Sequence, residues 1–370
     1  MNLRKVTARV GVACLLTAAW AVPAEAAPER AYIVVLSGDA SAYTHRFSSS
    51  VEHVYSAALD GFSVRLSQKE AAALARESGV DAVVPDAPVR ALGEQLNPPS
   101  WGLDRIDQRD LPLDGVYRYP NEAVGVTAYV IDTGVRATHQ DLGGRVLPGY
   151  DFVDDDTDAS DGNGHGTFVA GIIGGTRYGV AKRINIVPVR VLGNTGSGTI
   201  ADVIAGIDWV THNAVKPAVV NMSLGGSANA AMDAAVRNSI ASGLSYTVAA
   251  GGSASDAGNF SPARVVEALT IGASDIRDCL SSSTNRGAVV DMFAPGVNIV
   301  GPWITNDTAS ATLSGSSFSA PHVSGAVGIY LADHPLATAA DVSAALVAAS
   351  TKDRLCNVPA GTGNRLLYVG

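Results

Sequence analysis

From Trp101 to Gly370 the chain alternates short, almost unbroken apolar runs with segments of helical periodicity, and that alternation leaves few folds open. The runs Val126–Ile131, Ile184–Leu192, Ala218–Met222, Ser245–Ala249 and Ala268–Ile271 lack the polar alternation of a half-exposed strand, so both of their faces should be covered. Helices are expected to start near His165, Thr199, Ala230, Ser317 and Thr338. Strand and helix in turn predict an α/β fold, a parallel sheet with helices on both faces. In such sheets functional groups gather at the carboxyl ends of strands and at helix N-termini.

The 370 residues leave room for a second, smaller domain upstream. Ala31–Leu36, Gly61–Leu66 and Asp81–Val84 read as strands, and Tyr43–Tyr55 and Gln68–Glu77 as helices. Two strand–helix–strand units in this space suggest an α+β, ferredoxin-like module with helices on one face of an antiparallel sheet. Leu92–Ser100, with Pro98-Pro99, reads as an exposed connection. Residues 1–27 have the form of an export signal: Arg4, Lys5 and Arg9, then the apolar run Val10–Val22, then Ala24-Glu25-Ala26. That run is too short to span a bilayer, so no membrane attachment is expected once it is removed. Cys14 would leave with it, and Cys279 and Cys356 would remain in an oxidising compartment, either paired or as two separate thiols. A net charge of −9 argues against a nucleic-acid partner.

Three segments carry chemistry. In Ala128-Tyr-Val-Ile-Asp132-Thr-Gly134 an acid ends a buried strand; alone it reads as well as a turn cap. In Asp161-Gly-Asn-Gly164-His165-Gly166-Thr167 glycines bracket a histidine at a helix start, which suits a general base. In Gly315-Ser316-Ser317-Phe-Ser-Ala-Pro321-His322 a hydroxyl lies where a turn enters a helix, a position also suited to a plain serine cap. Taken together they run Asp, His, Ser. Serine needs a base to become a nucleophile, and the base needs an acid to hold its tautomer. The α/β-hydrolase alternative needs G-x-S-x-G and the order Ser, Asp, His, and neither is present.

From Ala31 to the C-terminus the sequence resembles the subtilisin-like serine proteases, nearest their proteinase K branch. The resemblance implies Asp132 as acid, His165 as base and Ser317 as nucleophile, the chain order already described for subtilisin. It implies an inhibitory propeptide over 28–92, removed by self-cleavage, and a catalytic domain over 93–370. It implies a cleft for extended polypeptides, with Gly196, Ser197 and Gly198 on one edge. Ser223, Leu224, Gly225 and Gly226 would form the opposite wall and part of the pocket beside the cleaved bond, with Ala249 and Gly251 also binding substrate. The oxyanion would rest on the Ser317 N–H and on the position of Gly252, where the family carries an Asn. Phe168, Ser283, Ser316 and Phe318 also depart from the family's His, Phe, Thr and Met.

No cofactor is expected for the chemistry. A structural calcium is implied at Asp291, with the carbonyls of Val266 and Ala268. The acidic loop Asp151, Asp154, Asp155, Asp156, Asp158 reads as solvated surface, and His322 as packing. The expectation is a secreted, monomeric serine endopeptidase made as a zymogen. The alternative is a weak or inert relative that binds peptides without efficient turnover.

Overall fold

The computed structural model describes residues 29–87 and 93–370. The expected export signal, Cys14 and the residues immediately before Gly93 lie outside the described residues. The chain divides into two compact units, residues 1–89 and 90–370.

In the first unit four antiparallel strands lie in the order Val51–Tyr55, Gly61–Leu66, Arg30–Leu36, Val80–Pro85. The helices are Ser41–Arg46 and Gln68–Leu74. The second starts at a capping box, in which Ser67 Oγ accepts the Glu70 N–H and the Glu70 carboxylate accepts the Ser67 N–H. Phe62, Val34, Val64 and Leu74 form its core. The helix expected over Tyr43–Tyr55 is corrected: it ends at Arg46, and Val51–Tyr55 is an edge strand paired with Gly61–Val64. Three consecutive serines, 48–50, weaken the helix, and Val51 and Val54 favour the extended backbone.

In the second unit nine strands form one sheet, in the order 351–352, 365–366, 292–295, 269–274, 245–249, 218–222, 127–132, 185–190, 150–151. The pairings are parallel except for Thr351–Lys352 against Arg365–Leu366 at one edge. Successive residues of a strand face opposite sides. Accordingly Val130 packs with Ile172 and Val323, from helices His165–Gly174 and Ser316–Asp333, whereas Ile131 packs with Val203 and Val236, from helices Ile200–Asn213 and Ala230–Ala241. Both faces are covered, as the unbroken apolar runs require.

Strand Thr127–Asp132 is flanked by 185–190 on one side and 218–222 on the other. The chain therefore reverses its direction of travel across the sheet beside Asp132, the position at which open α/β sheets form a crevice. Cys279 and Cys356 are joined by a disulfide, with Cα atoms 4.5 Å apart. A hairpin of Ile299–Pro302 and Ser310–Leu313, absent from the sequence expectations, packs near the start of helix His165–Gly174.

Candidate active site

Asp132 ends its strand fully buried, and a bare carboxylate there needs partners. Its Oδ1 accepts the Thr133 N–H at 2.8 Å and lies 2.7 Å from His165 Nδ1. Oδ2 is buried without a hydrogen-bond partner among the described residues. The imidazole is therefore held through Nδ1–H, which leaves Nε2 as its basic nitrogen. Burial works against the charged form of His165, yet the Asp132 charge, its hydrogen bond and the more distant Asp161 outweigh it and raise the pKa above 6.5.

Asp161, to which the sequence alone assigns no role, fixes this geometry. Its Oδ1 accepts from Thr133 Oγ1 at 2.9 Å and from the Asn163 and Gly164 N–H groups; its Oδ2 accepts the Thr167 N–H and hydroxyl. Thr133 Oγ1 in turn accepts the Gly166 N–H at 2.9 Å. One carboxylate thus ties the turn after Asp132 to the first turn of the His165 helix. The visible signal is an Asp preceding a glycine-rich helix start with a Thr six residues on.

Ser317 lies in the first turn of helix Ser316–Asp333. Its hydroxyl donates to the Ser223 carbonyl at 3.1 Å instead of to His165, and its own carbonyl accepts from Ser223 Oγ at 2.7 Å. Catalytic hydrogen bonds are commonly made only once substrate is bound, so the bond to the Ser223 carbonyl does not exclude one to the imidazole. Phe318, the next residue, lies against the His165 ring at a centroid distance of 5.4 Å, which puts the start of this helix beside the imidazole.

Two adjoining hollows flank these groups. A cleft of about 560 Å³ is lined by His165, Gly196, Ser197, Gly198 and Ser223–Gly226. A second, of about 290 Å³, is lined by Leu224–Gly226, Ala249, Gly251, Gly252 and Ser317. Leu224, Gly225 and Gly226 border both, so the expected cleft residues come together on one continuous surface. Among the described residues neither hollow is lined by an Asp, Glu, Lys or Arg side chain.

Gly252 carries no side-chain donor, and a Cβ added there would meet nothing within 4 Å. The loop that carries it is nonetheless held firmly. Asn285, fully buried, donates to the Ala250 carbonyl and accepts the Ser253 and Ser255 N–H groups, while Ser316 Oγ accepts the Gly251 N–H. Gly251 has φ +98°, and a Cβ there would lie 2.5 Å from Asn285 Nδ2, so only glycine fits.

In the acidic loop Asp154, Asp155, Asp156 and Asp158 are exposed, as expected, and Asp151 is the exception. Asp151 is buried, and it shares Arg190 with Asp154, which lies 2.7 Å from the guanidinium. His322 is buried packing, with burial pushing its pKa down to about 4. At Asp291 burial pushes the carboxyl up to about 6 against the Thr270 N–H, which donates to Oδ2 at 2.8 Å, and the Arg365 charge. A desolvated carboxylate is the kind of oxygen ligand a hard cation takes, although here it already accepts the Thr270 N–H and feels the Arg365 charge. No group of three or more His, Cys, Asp or Glu side chains that could hold a metal occurs among the described residues. No helix among them is long and apolar enough to cross a membrane.

Comparison with known proteins gives a consistent result. The profile of the Subtilase family matches residues 124–364, and that of Peptidase inhibitor I9 matches residues 31–92. An extracellular serine proteinase of Thermus sp. (strain Rt41A) is 49% identical over 318 residues, 86% of this chain and 77% of the relative. Alkaline serine exoprotease A of Vibrio alginolyticus is 45% identical over 327 residues, 87% of this chain but 61% of the relative's length. The crystal structure of a cold adapted subtilisin-like serine proteinase superposes with a TM-score of 0.72 at 50% identity, covering 73% of this chain and 98% of that one.

Proposed function

Because the chain belongs to the subtilase family of serine proteases, we propose that it is a secreted endopeptidase in which Asp132, His165 and Ser317 act as one catalytic unit. The observation that carries this reading is the 2.7 Å contact between Asp132 Oδ1 and His165 Nδ1, beside a helix start that bears a serine. Ser317 Oγ attacks the peptide carbonyl while His165 Nε2 takes its proton. His165 then returns that proton to the leaving amine, an acyl-enzyme forms on Ser317, and water activated by His165 releases it. Asp132 holds the tautomer and stabilises the imidazolium.

The developing oxyanion is left to backbone donors, chiefly the Ser317 N–H, because Gly252 has no amide side chain. In subtilisin itself, the source of this magnitude, removing that amide costs on the order of 100- to 1,000-fold in kcat. Loss of the triad there costs about a million-fold, so a chain with the triad and without the amide is slow and still active. The competing reading, a relative that binds without turnover, rests on Gly252 and the neighbouring substitutions Phe168, Ser283, Ser316 and Phe318.

Extended polypeptides are the substrates this cleft suits, through main-chain pairing along its glycine-lined edges. Residues 28–92 act as inhibitor and folding aid, and 93–370 as the mature enzyme, after removal of an export signal at 1–27. A structural calcium at Asp291 belongs to the same reading, as a stabiliser outside the chemistry.

The zymogen proposal is tested by exporting wild type and Ser317→Ala from a host lacking extracellular proteases. Wild type should emerge with an N-terminus at Gly93 or a few residues either side, and the variant should remain uncut. The same cut form from both would show that cleavage is not the chain's own.

A further inference from the structure

Phe168 and Phe318 stand where the family carries His and Met, and read one at a time each departure looks like damage to the site. In space they touch. Their rings meet edge to face, with centroids 4.8 Å apart at 64°, and Phe318 lies against the His165 imidazole at 5.4 Å and 50°. Phe168 is fully buried and Phe318 is 6% exposed. Behind them Trp303, from the hairpin segment, packs edge-on to Phe168 at 6.4 Å. The same indole ring lies so close over Gly164, the residue capping the His165 helix, that a Cβ there would sit 2.6 Å from it. Phe168 is one helical turn beyond His165 on the same helix, and Phe318 follows Ser317 on the other. The pair therefore bridges the helix that carries the base and the helix that carries the nucleophile.

We propose that Phe168 and Phe318 are one positioning unit for His165: Phe318 holds the imidazole against its ring, and Phe168 holds Phe318. The proposal rests on the catalytic reading above and adds residues to it. Edge-to-face aromatic contacts are directional and favour a narrow range of ring placements, which an aliphatic side chain does not impose. The charged groups that act on the imidazole are Asp132, from the strand end, and Asp161, from the loop before its helix. Neither belongs to the aromatic chain, so an aliphatic residue at 318 leaves that charge field in place while admitting water to the ring.

The test is a double-mutant cycle of Phe168→Leu and Phe318→Leu, with Phe318→Met as a milder second variant. It reads kcat and KM on a peptide substrate and the rate of fluorophosphonate labelling from pH 5 to 9. Phe318→Leu should lower kcat about tenfold, less than the ~100-fold attributed to a full ångström of misplacement, with KM within about twofold. Phe318→Met should lower it by less. The acid limb of labelling should move to higher pH in Phe318→Leu, because a better hydrated imidazole holds its proton longer. Phe168→Leu should do the same more weakly, and should add nothing in the Phe318→Leu background. Losses that multiply, or a fall in kcat with an unmoved pH limb, overturn the positioning role and leave the triad reading intact. A wild type that takes no label overturns the triad reading, and the positioning role with it.

Discussion

Ser223 and Ser317 hold each other by two hydrogen bonds: Ser223 Oγ donates to the Ser317 carbonyl at 2.7 Å, and Ser317 Oγ donates to the Ser223 carbonyl at 3.1 Å. The first bond has a cause in the sequence. Pro321, four residues on in the same helix, has no N–H, so the Ser317 carbonyl loses its intrahelical donor. Ser223 Oγ replaces it and accepts in turn from Asn221 Nδ2 at 2.9 Å; Asn221 is itself buried in a network with Ser324 and Thr247. The Ser317 peptide is thereby anchored to the centre of the sheet.

Ser223→Ala would strand that carbonyl and loosen the aim of the Ser317 N–H, the donor proposed above for the oxyanion. The expected result is a fall in kcat of about tenfold, the equivalent of one lost hydrogen bond of ~1–1.5 kcal/mol, with a smaller change in KM. Steady-state kinetics on a peptide substrate measure it; an unchanged kcat would mean that the anchor does not serve the chemistry.

Gly252→Asn should raise kcat with little change in KM. The position has room for a Cβ, and its φ lies outside the left-handed region, so an asparagine enters without backbone strain. The upper bound is the on-the-order-of 100- to 1,000-fold that the amide supplies in subtilisin. A flat or lower kcat would show that another donor already serves the oxyanion.

The pH dependence follows from His165. The base must be neutral, and its pKa is raised above 6.5, so kcat/KM should rise with pH through a limb displaced upward from that value. The contribution of the pair to stability has the opposite sense. A raised folded-state pKa stabilises the folded chain fully below 6.5, and that contribution is lost as pH rises through the higher folded value. Asp132→Asn should therefore move the kinetic limb down and remove this component of stability; a limb that stays where it was would break the assigned link.

Much of this was legible in the sequence because it lies where chain geometry is tightly constrained. A buried strand ending in Asp132, a glycine-flanked His165 and a serine entering a helix each need particular residues in a particular order. The unread parts depend on distant contacts. Nothing local to Phe168 or Phe318 tells that they meet, and Asp161 looks like any turn aspartate until five donors are seen around it. Val51–Tyr55 is a different case, because the serines before it and the β-branched Val51 and Val54 were a local signal for the strand. The short antiparallel edge at 351–352 and 365–366 has too few residues for any periodicity to appear.

Calcium should raise the thermal unfolding temperature of wild type at pH 8, and chelation should lower it, with no such response in Asp291→Asn. Burial pushes the Asp291 carboxyl up to about 6, so the proton competes with the cation and the calcium response should fade below that pH. An equal response in the variant would place any bound calcium elsewhere.

The central claim, that Asp132, His165 and Ser317 work as one unit, is tested most directly by locating and counting fluorophosphonate adducts. Wild type at pH 8 should take one label per chain, on Ser317, and His165→Ala should take essentially none over the same time. Labelling of His165→Ala at the wild-type rate, or a wild type that remains unlabelled, would contradict it.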